Sequence, residues 1–329
     1  MNKQKNDHRM SYLSMRILVT GGLGYLGSQV SYNLIQNGND VSIVDVLETN
    51  PFKKISEADY TKLDITNYLD LKSYFNKNKF DQVIHLAAKK SVLESVEFPE
   101  LYRDVNIQGT ANLLEVAANQ NCSNFIFASS AAVYAESESG FVSEDSDLAP
   151  ANPYGESKLE AELLVNEFIN EGILKGCSLR LFNLSGEGES GLAKSGKGSL
   201  LPTIINKVAK NEPMQIFGDC FMTKDGSASR DYIHVLDAAK SFVLVSRLLR
   251  DREIPNTLNI ATGESTTVLE MIEQVSICSS TRISVKIESA RSGEIGRMVA
   301  DIRKSVECLG TYATRDLESI VASALRVTL

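Results

Sequence analysis

A tyrosine and a lysine four residues apart, Tyr154 and Lys158, are the residues of this chain whose types and spacing best suit acid–base chemistry. Pro153 and the apolar spacing after it predict a helix, and residues four apart on a helix lie on one face about one turn from each other. A lysine ammonium beside a tyrosine hydroxyl stabilises the phenolate and lowers its pKa towards neutrality. The pair would then serve as a general base for a substrate hydroxyl, although the same spacing also arises by chance on amphipathic helices.

Two serines, Ser129 and Ser130, directly follow an apolar run, residues 124–128, that predicts a buried strand. In a parallel sheet with helices on both faces, sites lie beyond the carboxyl ends of the strands, so both serines stand where chemistry is expected. Capping of the strand end or a turn is the purely structural alternative. With Tyr154 and Lys158 further along the chain, Ser130 completes a candidate catalytic set.

A glycine-rich turn, Gly21 to Gly27, follows the apolar run 17–19 and satisfies the pattern G-x-G-x-x-G at Gly22, Gly24 and Gly27. Glycines there allow a tight turn, a close approach of the backbone to a pyrophosphate, and close packing of helix on strand. The N-terminus of the following helix would offer unpaired N–H groups to the phosphates. The next predicted strand ends in Asp45, whose carboxylate can accept from both ribose hydroxyls and would repel a 2′-phosphate. The motif therefore favours NAD over NADP.

Strands and helices alternate through the first half of the chain, which is the pattern of a Rossmann-like, doubly wound parallel sheet in the α/β class. His85 falls inside the predicted strand 82–88 and is interpreted as a core histidine more readily than as a catalytic one. From about residue 183 the chain carries five glycines in a mixed-charge loop, which indicates the start of a smaller α/β domain. Further strands and helices are predicted at these positions: strands 41–45, 60–65 and 257–261, and helices 67–76, 105–118, 235–245, 268–277 and 317–325.

The composition of the 329-residue chain is that of an ordinary globular enzyme, with 43% apolar and 23% charged residues. Its net charge of −8 argues against nucleic acid or an anionic membrane as a partner. The cysteines are odd in number, no C-x-x-C pair occurs, and the three histidines are far apart, so we expect a reducing compartment and no metal. Without a signal peptide or a run of about 20 apolar residues, a cytoplasmic protein is expected.

Five stretches together resemble the extended short-chain dehydrogenase/reductase family, and most closely its UDP-glucose 4-epimerases and their UDP-N-acetylhexosamine relatives. The resemblance runs from Met15 to about residue 305, and the longest stretch narrows it to enzymes that epimerise sugar nucleotides. The stretches are Thr20-Gly-Gly-Leu-Gly-Tyr-Leu-Gly27, Ser129-Ser-Ala-Ala-Val-Tyr134, Tyr154-Gly-Glu-Ser-Lys158, Arg180-Leu-Phe-Asn183 and Asp225-Gly-Ser-Ala-Ser-Arg-Asp-Tyr-Ile-His-Val235.

The resemblance implies a role for each matching residue. Tyr154 would be the base, Lys158 would bind the nicotinamide ribose and tune the tyrosine, and Ser130 would bridge tyrosine and substrate. NAD contacts are implied at Gly21, Gly24, Tyr25, Leu26, Gly27, Asp45, Asp64, Ile65, Leu86, Ala87, Ala88, Lys90, Ser95 and Asn106, besides Tyr154 and Lys158. Contacts to a UDP-sugar are implied at Lys90, Ser130, Tyr154, Asn183, Ser199, Leu200, Phe217, Arg230, Arg291 and Met298.

Arg230 and Arg291 also suit bidentate binding of a diphosphate, with surface ion pairing as the alternative. The polar, mixed-charge residues 1–14 predict a disordered tail. We expect an NAD-binding domain over 15–182 and a substrate-binding domain over 183–329, and the resemblance implies a return segment to the first domain near 234–262. A homodimer through a bundle of two helices per subunit is usual in the family.

Three departures from the family pattern bear on the reaction. Ala131 and Ala132 stand where dehydratases carry Asp-Glu, which argues against elimination of water and fits simple epimerisation. Met298 is intermediate in size at a position that controls access for the sugar C2 substituent, so the preferred hexose stays open. Ser199 replaces an asparagine common in the family and weakens the diphosphate assignment.

Two other readings remain. One is a different sugar-nucleotide enzyme of the same superfamily, such as a dehydratase, a decarboxylase or a reductase. The other is an NAD-binding sensor without turnover, which the joint presence of Ser130, Tyr154 and Lys158 disfavours.

Overall fold

A computed structural model describes residues 14–196, 198–290 and 295–328, with side chains up to residue 326. Apart from Ser14, the predicted N-terminal tail lies outside these residues. No helix in the described ranges is both long and apolar enough to cross a membrane.

The parallel sheet that the alternating pattern predicts forms the centre of the molecule, and it has seven strands, of which Lys175–Leu181 was not predicted. The neighbouring strands run in the order β12-β7-β5-β4-β1-β2-β3. Their bounds are β1 Arg16–Thr20, β2 Asp40–Asp45, β3 Asp59–Lys62, β4 Gln82–His85, β5 Asn124–Ser130, β7 Lys175–Leu181 and β12 Thr257–Ile260. The order reverses next to β1, so the carboxyl ends of β1 and β4 border the crevice where ligands bind in such sheets.

Helices cover both faces of this sheet. They are α1 Tyr25–Gln36, α2 Tyr68–Lys77, α3 Val92–Glu97, α4 Pro99–Tyr102, α5 Gly109–Asn119, α6 Pro153–Asn170 and α8 Val235–Asp251. Side chains alternate along β1: Ile17 packs in one buried core with α1 and α8, whereas Leu18 packs in a second core with α2, α5 and α6. This alternation explains why β1 is apolar throughout: both of its faces are covered.

A second part of the molecule contains smaller sheets and three further helices. The short strands are β6 Phe141–Val142, β8 Asn183–Ser185, β9 Met214–Phe217, β10 Ser229–Arg230, β11 Tyr232–His234, β13 Thr266–Thr267, β14 Val285–Glu288 and β15 Arg297–Ala300. They pair as β13-β10-β15-β6, β11-β8 and β14-β9. Helices α7 Leu200–Ala209, α9 Val268–Ser279 and α11 Leu317–Thr328 share a third apolar core.

The chain returns to the main sheet in two places. The predicted return forms α8 and β12, and β12 pairs with β7 at the sheet edge. A second return was not predicted: α10, Arg303–Leu309, packs against β12 and α8, and Tyr312 is buried in the core beside α1 and α8. Two segments after residue 183, α8 with β12 and α10 with Tyr312, pack on the sheet formed by the first part of the chain. The division into domains between residues 182 and 183 therefore stays a prediction.

The predicted helix 105–118 has a different form at its start. Residues Arg103–Gln108 form one turn of π-helix, and α5 begins only at Gly109. A single π-helical turn inside a helix often marks a functional site. Asn106, one of the predicted cofactor contacts, lies within this turn.

Candidate active site

The glycine-rich turn between β1 and α1 is closed by backbone contacts. A Cβ atom at Gly21 would lie 2.6 Å from the backbone nitrogen of Ala87, and one at Gly27 would overlap the carbonyl oxygen of Gly21. Gly21 also has a φ of +69°, which favours glycine. Helix α1 begins after Gly24 without a side-chain cap, and its first turn carries no acidic residue. Its first N–H groups therefore suit a diphosphate.

Asp45 lies at the end of β2 beside this turn. One carboxylate oxygen accepts from the backbone N–H of Leu23 at 3.0 Å, and the other accepts from the N–H of Val46 at 2.8 Å. These bonds hold the carboxylate at the rim of the crevice while leaving lone pairs for further donors. The arrangement fits the ribose hydroxyls of NAD.

The chain after β4 forms the opposite rim. Leu86, Ala87 and Ala88 are half-buried there, and the Leu86 N–H donates to the Thr20 carbonyl at 3.1 Å. Lys90 is exposed, with its ammonium nitrogen 6.0 Å from the ring centroid of Tyr25. Burial of that ammonium group lowers the pKa of Lys90 although the side chain as a whole is exposed.

Asn106 connects this rim to the catalytic helix. Its amide accepts from the Lys89 N–H at 2.8 Å, and it donates to the Lys89 carbonyl at 3.0 Å and to the Ser157 hydroxyl at 2.9 Å. Ser95 is buried and donates to the Val92 carbonyl. Both predicted cofactor contacts thus use their polar groups within the protein.

Asp64 and Ile65 lie beyond β3. Asp64 is exposed and accepts from the backbone and the hydroxyl of Thr66. Ile65 is buried against Gly109, where a Cβ atom would lie 2.7 Å from its side chain. The glycine that begins α5 therefore allows this close packing.

Ser130 and Tyr154 meet at the carboxyl end of β5, and Lys158 lies one helical turn beyond Tyr154 on α6, with its ammonium nitrogen 4.2 Å from the ring centroid of Phe127 on β5. Ser130 ends the strand, and its hydroxyl hydrogen-bonds the phenol of Tyr154 and accepts from the Ala132 N–H at 3.2 Å. Gly155 allows α6 to approach this turn, because a Cβ atom there would collide with the Ala132 carbonyl. The structure therefore brings the three predicted catalytic residues together.

The pKa of Tyr154 is raised, since burial of the hydroxyl outweighs the hydrogen bond from Ser130, which lowers it. The sequence-based expectation that the Tyr154 pKa lies near neutrality is therefore wrong for the protein chain without other molecules. Burial lowers the pKa of Lys158 to about 7, with Glu162 acting in the opposite direction. Both shifts have one cause, because a buried site disfavours the charged form of either group.

The predicted substrate contacts lie in the smaller sheets and helices. Asn183 begins β8 and is exposed, and Ser199 and Leu200 stand at the start of α7. Phe217 ends β9 and is half-buried. Arg291 lies outside the described residues.

Arg230 and Met298 are paired neighbours on β10 and β15. Arg230 is half-buried, whereas Met298 is buried with Ala131, Val133 and Phe182. Met298 thus packs beside the turn that follows Ser130, so it borders the catalytic set.

Asp231 fixes these two strands and was not predicted. It is fully buried and accepts from the Thr262 N–H at 2.9 Å, the Gly263 N–H at 2.8 Å and the Ala300 N–H at 3.3 Å. Burial raises its pKa despite these bonds. The sequence signal that could have identified Asp231 is its place next to Arg230 in the stretch 225–235.

A second set of buried residues was also missed. Glu162 accepts from the Arg180 guanidinium at 2.6 and 3.1 Å and from the Ser129 hydroxyl, with both charged side chains almost fully buried. Arg180 also donates to the Tyr134 hydroxyl at 2.9 Å. Glu162 follows Lys158 by the same four-residue spacing that relates Lys158 to Tyr154, and this spacing was the available signal.

His85 is a core residue, as predicted. One ring nitrogen lies 2.7 Å from the Thr20 hydroxyl and the other 2.9 Å from the Thr110 hydroxyl. Burial, with a smaller effect of the Lys158 charge, lowers its pKa to about 3. His85 is therefore neutral and hydrogen-bonded at both nitrogens.

The doubly wound sheet, the glycine-rich turn and the Ser–Tyr–Lys set define the class of short-chain dehydrogenases/reductases that bind NAD. The chain belongs to the NAD dependent epimerase/dehydratase family, whose model matches residues 17–261.

Similar proteins carry related activities. The chain is 36% identical over 327 residues to a pea (Pisum sativum) bifunctional UDP-glucose 4-epimerase and UDP-xylose 4-epimerase, covering 93% of each chain. The crystal structure of a UDP-glucose 4-epimerase from Stenotrophomonas maltophila, with bound NAD and formylated UDP-arabinopyranose, superposes with a TM-score of 0.89 at 33% identity, covering 95% of this chain and 98% of that one. The UDP-Glc/GlcNAc 4-epimerase of Campylobacter jejuni superposes with a TM-score of 0.82 at 30% identity, over 96% and 99%.

Proposed function

We infer that this protein is an NAD-dependent enzyme that reversibly epimerises a UDP-hexose at C4 through a 4-keto sugar. The observation that carries this conclusion is the meeting of Ser130 and Tyr154 at the end of β5, with Lys158 one helical turn beyond on α6, within a fold whose relatives are 4-epimerases. NAD, when bound, supplies the acceptor and donor of the C4 hydride.

Tyr154 is proposed as the general base that takes the proton of the C4 hydroxyl and later returns it. Ser130 donates a hydrogen bond that favours the phenolate over the phenol, as its lowering effect on the tyrosine pKa indicates. Lys158, on the same helix face, adds a positive charge that favours the phenolate. Each group therefore opposes the cost of forming a buried anion.

The cofactor is proposed to lie across the ends of β1, β2 and β4. Backbone N–H groups of Gly24, Tyr25, Leu26 and Gly27 would bind the diphosphate, and Asp45 the ribose. Asp64 and Ile65 would border the adenine, while Leu86, Ala87, Ala88, Lys90 and Asn106 would form the other wall. The geometry of the turn supports this placement, because its glycines leave the backbone accessible.

The UDP part of the substrate is proposed to bind at Asn183, Ser199, Leu200, Phe217 and Arg230, with Arg291 as a further candidate. The next residue, Asp231, accepts hydrogen bonds from three backbone N–H groups, and these bonds fix the backbone beside Arg230. Epimerisation requires that the nucleotide stays bound while the 4-keto sugar ring turns and presents its opposite face to the hydride donor.

A dehydratase is the second candidate, and the residues after Ser130 disfavour it. Ala131 and Ala132 form a short 3-10 turn, and neither methyl group can donate or accept a proton. Elimination of water from C5 and C6 would require an acid and a base there.

The two readings are separated by an NMR time course with UDP-glucose and with UDP-N-acetylglucosamine, without added NAD. We expect the C4 epimer in at least one sample. Accumulation of a 4-keto product would contradict epimerisation and support dehydration. Comparison of the two rates would show which hexose Met298 admits.

A homodimer is also proposed. Apolar residues on α3, on α4 and on the adjacent α6 are exposed, with Leu93 82% and Leu163 55% accessible. Exposed apolar patches of this kind often form interfaces. Sedimentation should show a dimer for the wild type and a monomer for Leu93→Glu, whereas Leu69→Glu on α2, which is not one of these three helices, should leave the dimer intact. A wild-type monomer would contradict the proposal.

A cytoplasmic location completes the proposal. It is supported by the five cysteines, which are all free of disulfide bonds, including the buried Cys122 and Cys177. Free cysteines are typical of a reducing compartment.

A further inference from the structure

Tyr154 and Lys158 must both be charged for the proposed mechanism, yet their surroundings disfavour the charged form of each. Burial raises the pKa of Tyr154 and lowers the pKa of Lys158, so both charged forms are disfavoured. Ser130 counteracts this for the phenolate. The ammonium of Lys158 needs a counterpart, because a buried charge without a partner is costly.

Glu162 is placed to be that counterpart. Tyr154, Lys158 and Glu162 follow one another at four-residue intervals on α6, so they lie along one face of the helix. Glu162 is 1% exposed, and it is the group that opposes the burial of Lys158. At this depth a charge acts through little solvent, so its effect on a neighbour is strong.

The carboxylate cannot turn away, because two strands hold it. Arg180 from β7 donates three hydrogen bonds to it, two from Nε and one from a terminal nitrogen, and the Ser129 hydroxyl from β5 donates a fourth. Arg180 is itself held by the Tyr134 hydroxyl, which donates to Asn259 on β12 at 2.5 Å. The network therefore links α6 to the strand that ends in Ser130.

We propose that Glu162 is a positioning residue: fixed by Arg180 and Ser129, it keeps Lys158 charged beneath Tyr154 and aligns α6 with the end of β5. This role rests on the proposed epimerase activity, because the charge of Lys158 matters only if Tyr154 acts as a base. It concerns residues that do not themselves touch the reacting sugar.

Other groups surround the helix face that carries Lys158. The π-helix contributes the uncharged Asn106 through Ser157, and β5 contributes the ring of Phe127, 4.2 Å from the ammonium nitrogen. Among the described residues, the titratable or charged groups beside Lys158, Tyr154 or Glu162 include neutral His85 from β4, Arg180 and the thiol of Cys177 from β7, and the Tyr102–Glu94 pair beyond the ring of Tyr154.

The central experiment replaces Glu162 by glutamine, which keeps the shape of the side chain and removes its charge. The charge that raises the Lys158 pKa is then gone, and the Arg180 guanidinium has lost its counterion, so the Lys158 pKa should fall by about one pH unit. Since Lys158 is charged below its pKa and neutral above it, the basic limb of the kcat profile should move to lower pH by the same amount. At a pH on that limb the rate should fall about tenfold.

The matched control is Glu160→Gln on the same helix. Glu160 is 45% exposed and pairs with Arg103 at 3.7 Å on the outer side. It loses the same charge, yet solvent screens it, so neither the Lys158 titration nor the kcat profile should move.

A direct readout needs no turnover. NMR of protein labelled with 15N-lysine follows the Lys158 ammonium with pH, and Lys158→Met assigns its signal. If the wild type epimerised neither sugar, this titration would still test the charge effect, so failure of the activity and failure of this inference are distinguishable. An unchanged Lys158 midpoint in a folded Glu162→Gln variant would overturn the proposal.

A double variant separates charge from packing. Glu162→Gln with Arg180→Met removes both charges, so the Lys158 midpoint should lie between those of the wild type and Glu162→Gln. A purely structural network predicts a double variant at least as impaired as the single one. Should Glu162→Gln fail to fold, Glu162→Asp retains the charge and should keep the Lys158 midpoint closer to the wild type than the double variant does; the opposite order would contradict the proposal.

Discussion

The cofactor side and the catalytic side of the candidate site are built from different parts of the chain. The turn between β1 and α1 consists of backbone, and at Gly21 and Gly27 even one added carbon atom would meet other backbone atoms. The catalytic side consists of side chains: the buried Ser130 and Lys158 and the half-buried Tyr154, with the buried Glu162 one helical turn beyond Lys158.

The cofactor side therefore depends on shape, whereas the catalytic side depends on charge. Backbone atoms can move only together with a strand or a helix, so the turn tolerates no added volume. Side chains such as Tyr154 can lose one atom without a change in packing, so the catalytic side is sensitive to charge and hydrogen bonding instead. Substitutions that add volume or remove one polar atom should therefore affect the two sides in opposite ways.

Gly27→Ala should have the largest effect. The added methyl group would overlap the Gly21 carbonyl, which should cost about 1–3 kcal/mol of stability and remove bound NAD, hence activity. Thermal unfolding and the NAD content of the purified protein measure both effects. Gly196→Ala is the control, because its nearest neighbour would be the flexible end of Lys90 at 4.0 Å. Full NAD content in Gly27→Ala would show that the turn can relax.

Tyr154→Phe should come next, with the opposite pattern. Loss of the general base should lower kcat by about 10²- to 10⁴-fold, while the fold and the NAD content stay as in the wild type. Initial rates by NMR and the circular dichroism spectrum measure the two. Tyr102→Phe, which alters the neighbouring ring in edge contact with Tyr154, should retain most activity. A Tyr154→Phe enzyme within tenfold of the wild type would remove the tyrosine from the mechanism.

Arg230→Ala should have a smaller effect, confined to substrate binding. Loss of charged hydrogen bonds to a diphosphate should raise KM about 10- to 100-fold. Substrate-dependence of the initial rate measures KM, and NAD content should not change. Arg282→Ala, which removes the same charge from the loop after α9, serves as the comparison. A KM equal to that of the wild type would leave Arg230 as a structural residue.

Substitution of Met298 should have the smallest effect and change selectivity alone. Met298→Tyr should favour UDP-glucose over UDP-N-acetylglucosamine by about tenfold relative to the wild type, because the larger ring fills space near C2. Met298→Ala should shift the ratio the other way. The ratio of kcat/KM values for the two sugars is the measurement, and an identical ratio in all three proteins would show that the sugar does not meet this position.

The sequence alone determined the parts whose signals are local. The G-x-G-x-x-G turn, Asp45 at the end of its strand, and the four-residue spacing of Tyr154 and Lys158 follow from neighbouring residues and from helix and strand periods. The same periodic signals predicted a doubly wound parallel sheet and the core position of His85, but not the strand Lys175–Leu181 within that sheet.

Tertiary structure decided what depends on distant neighbours. Glu162 meets Arg180 and Ser129 across 18 and 33 residues, and Tyr312 returns to the main core after the smaller sheets. The pKa of Tyr154 was predicted in the wrong direction, because spacing reveals a nearby lysine but not how deeply the hydroxyl is buried. Pairing and desolvation depend on every element packed around a group, and a local pattern contains none of that information.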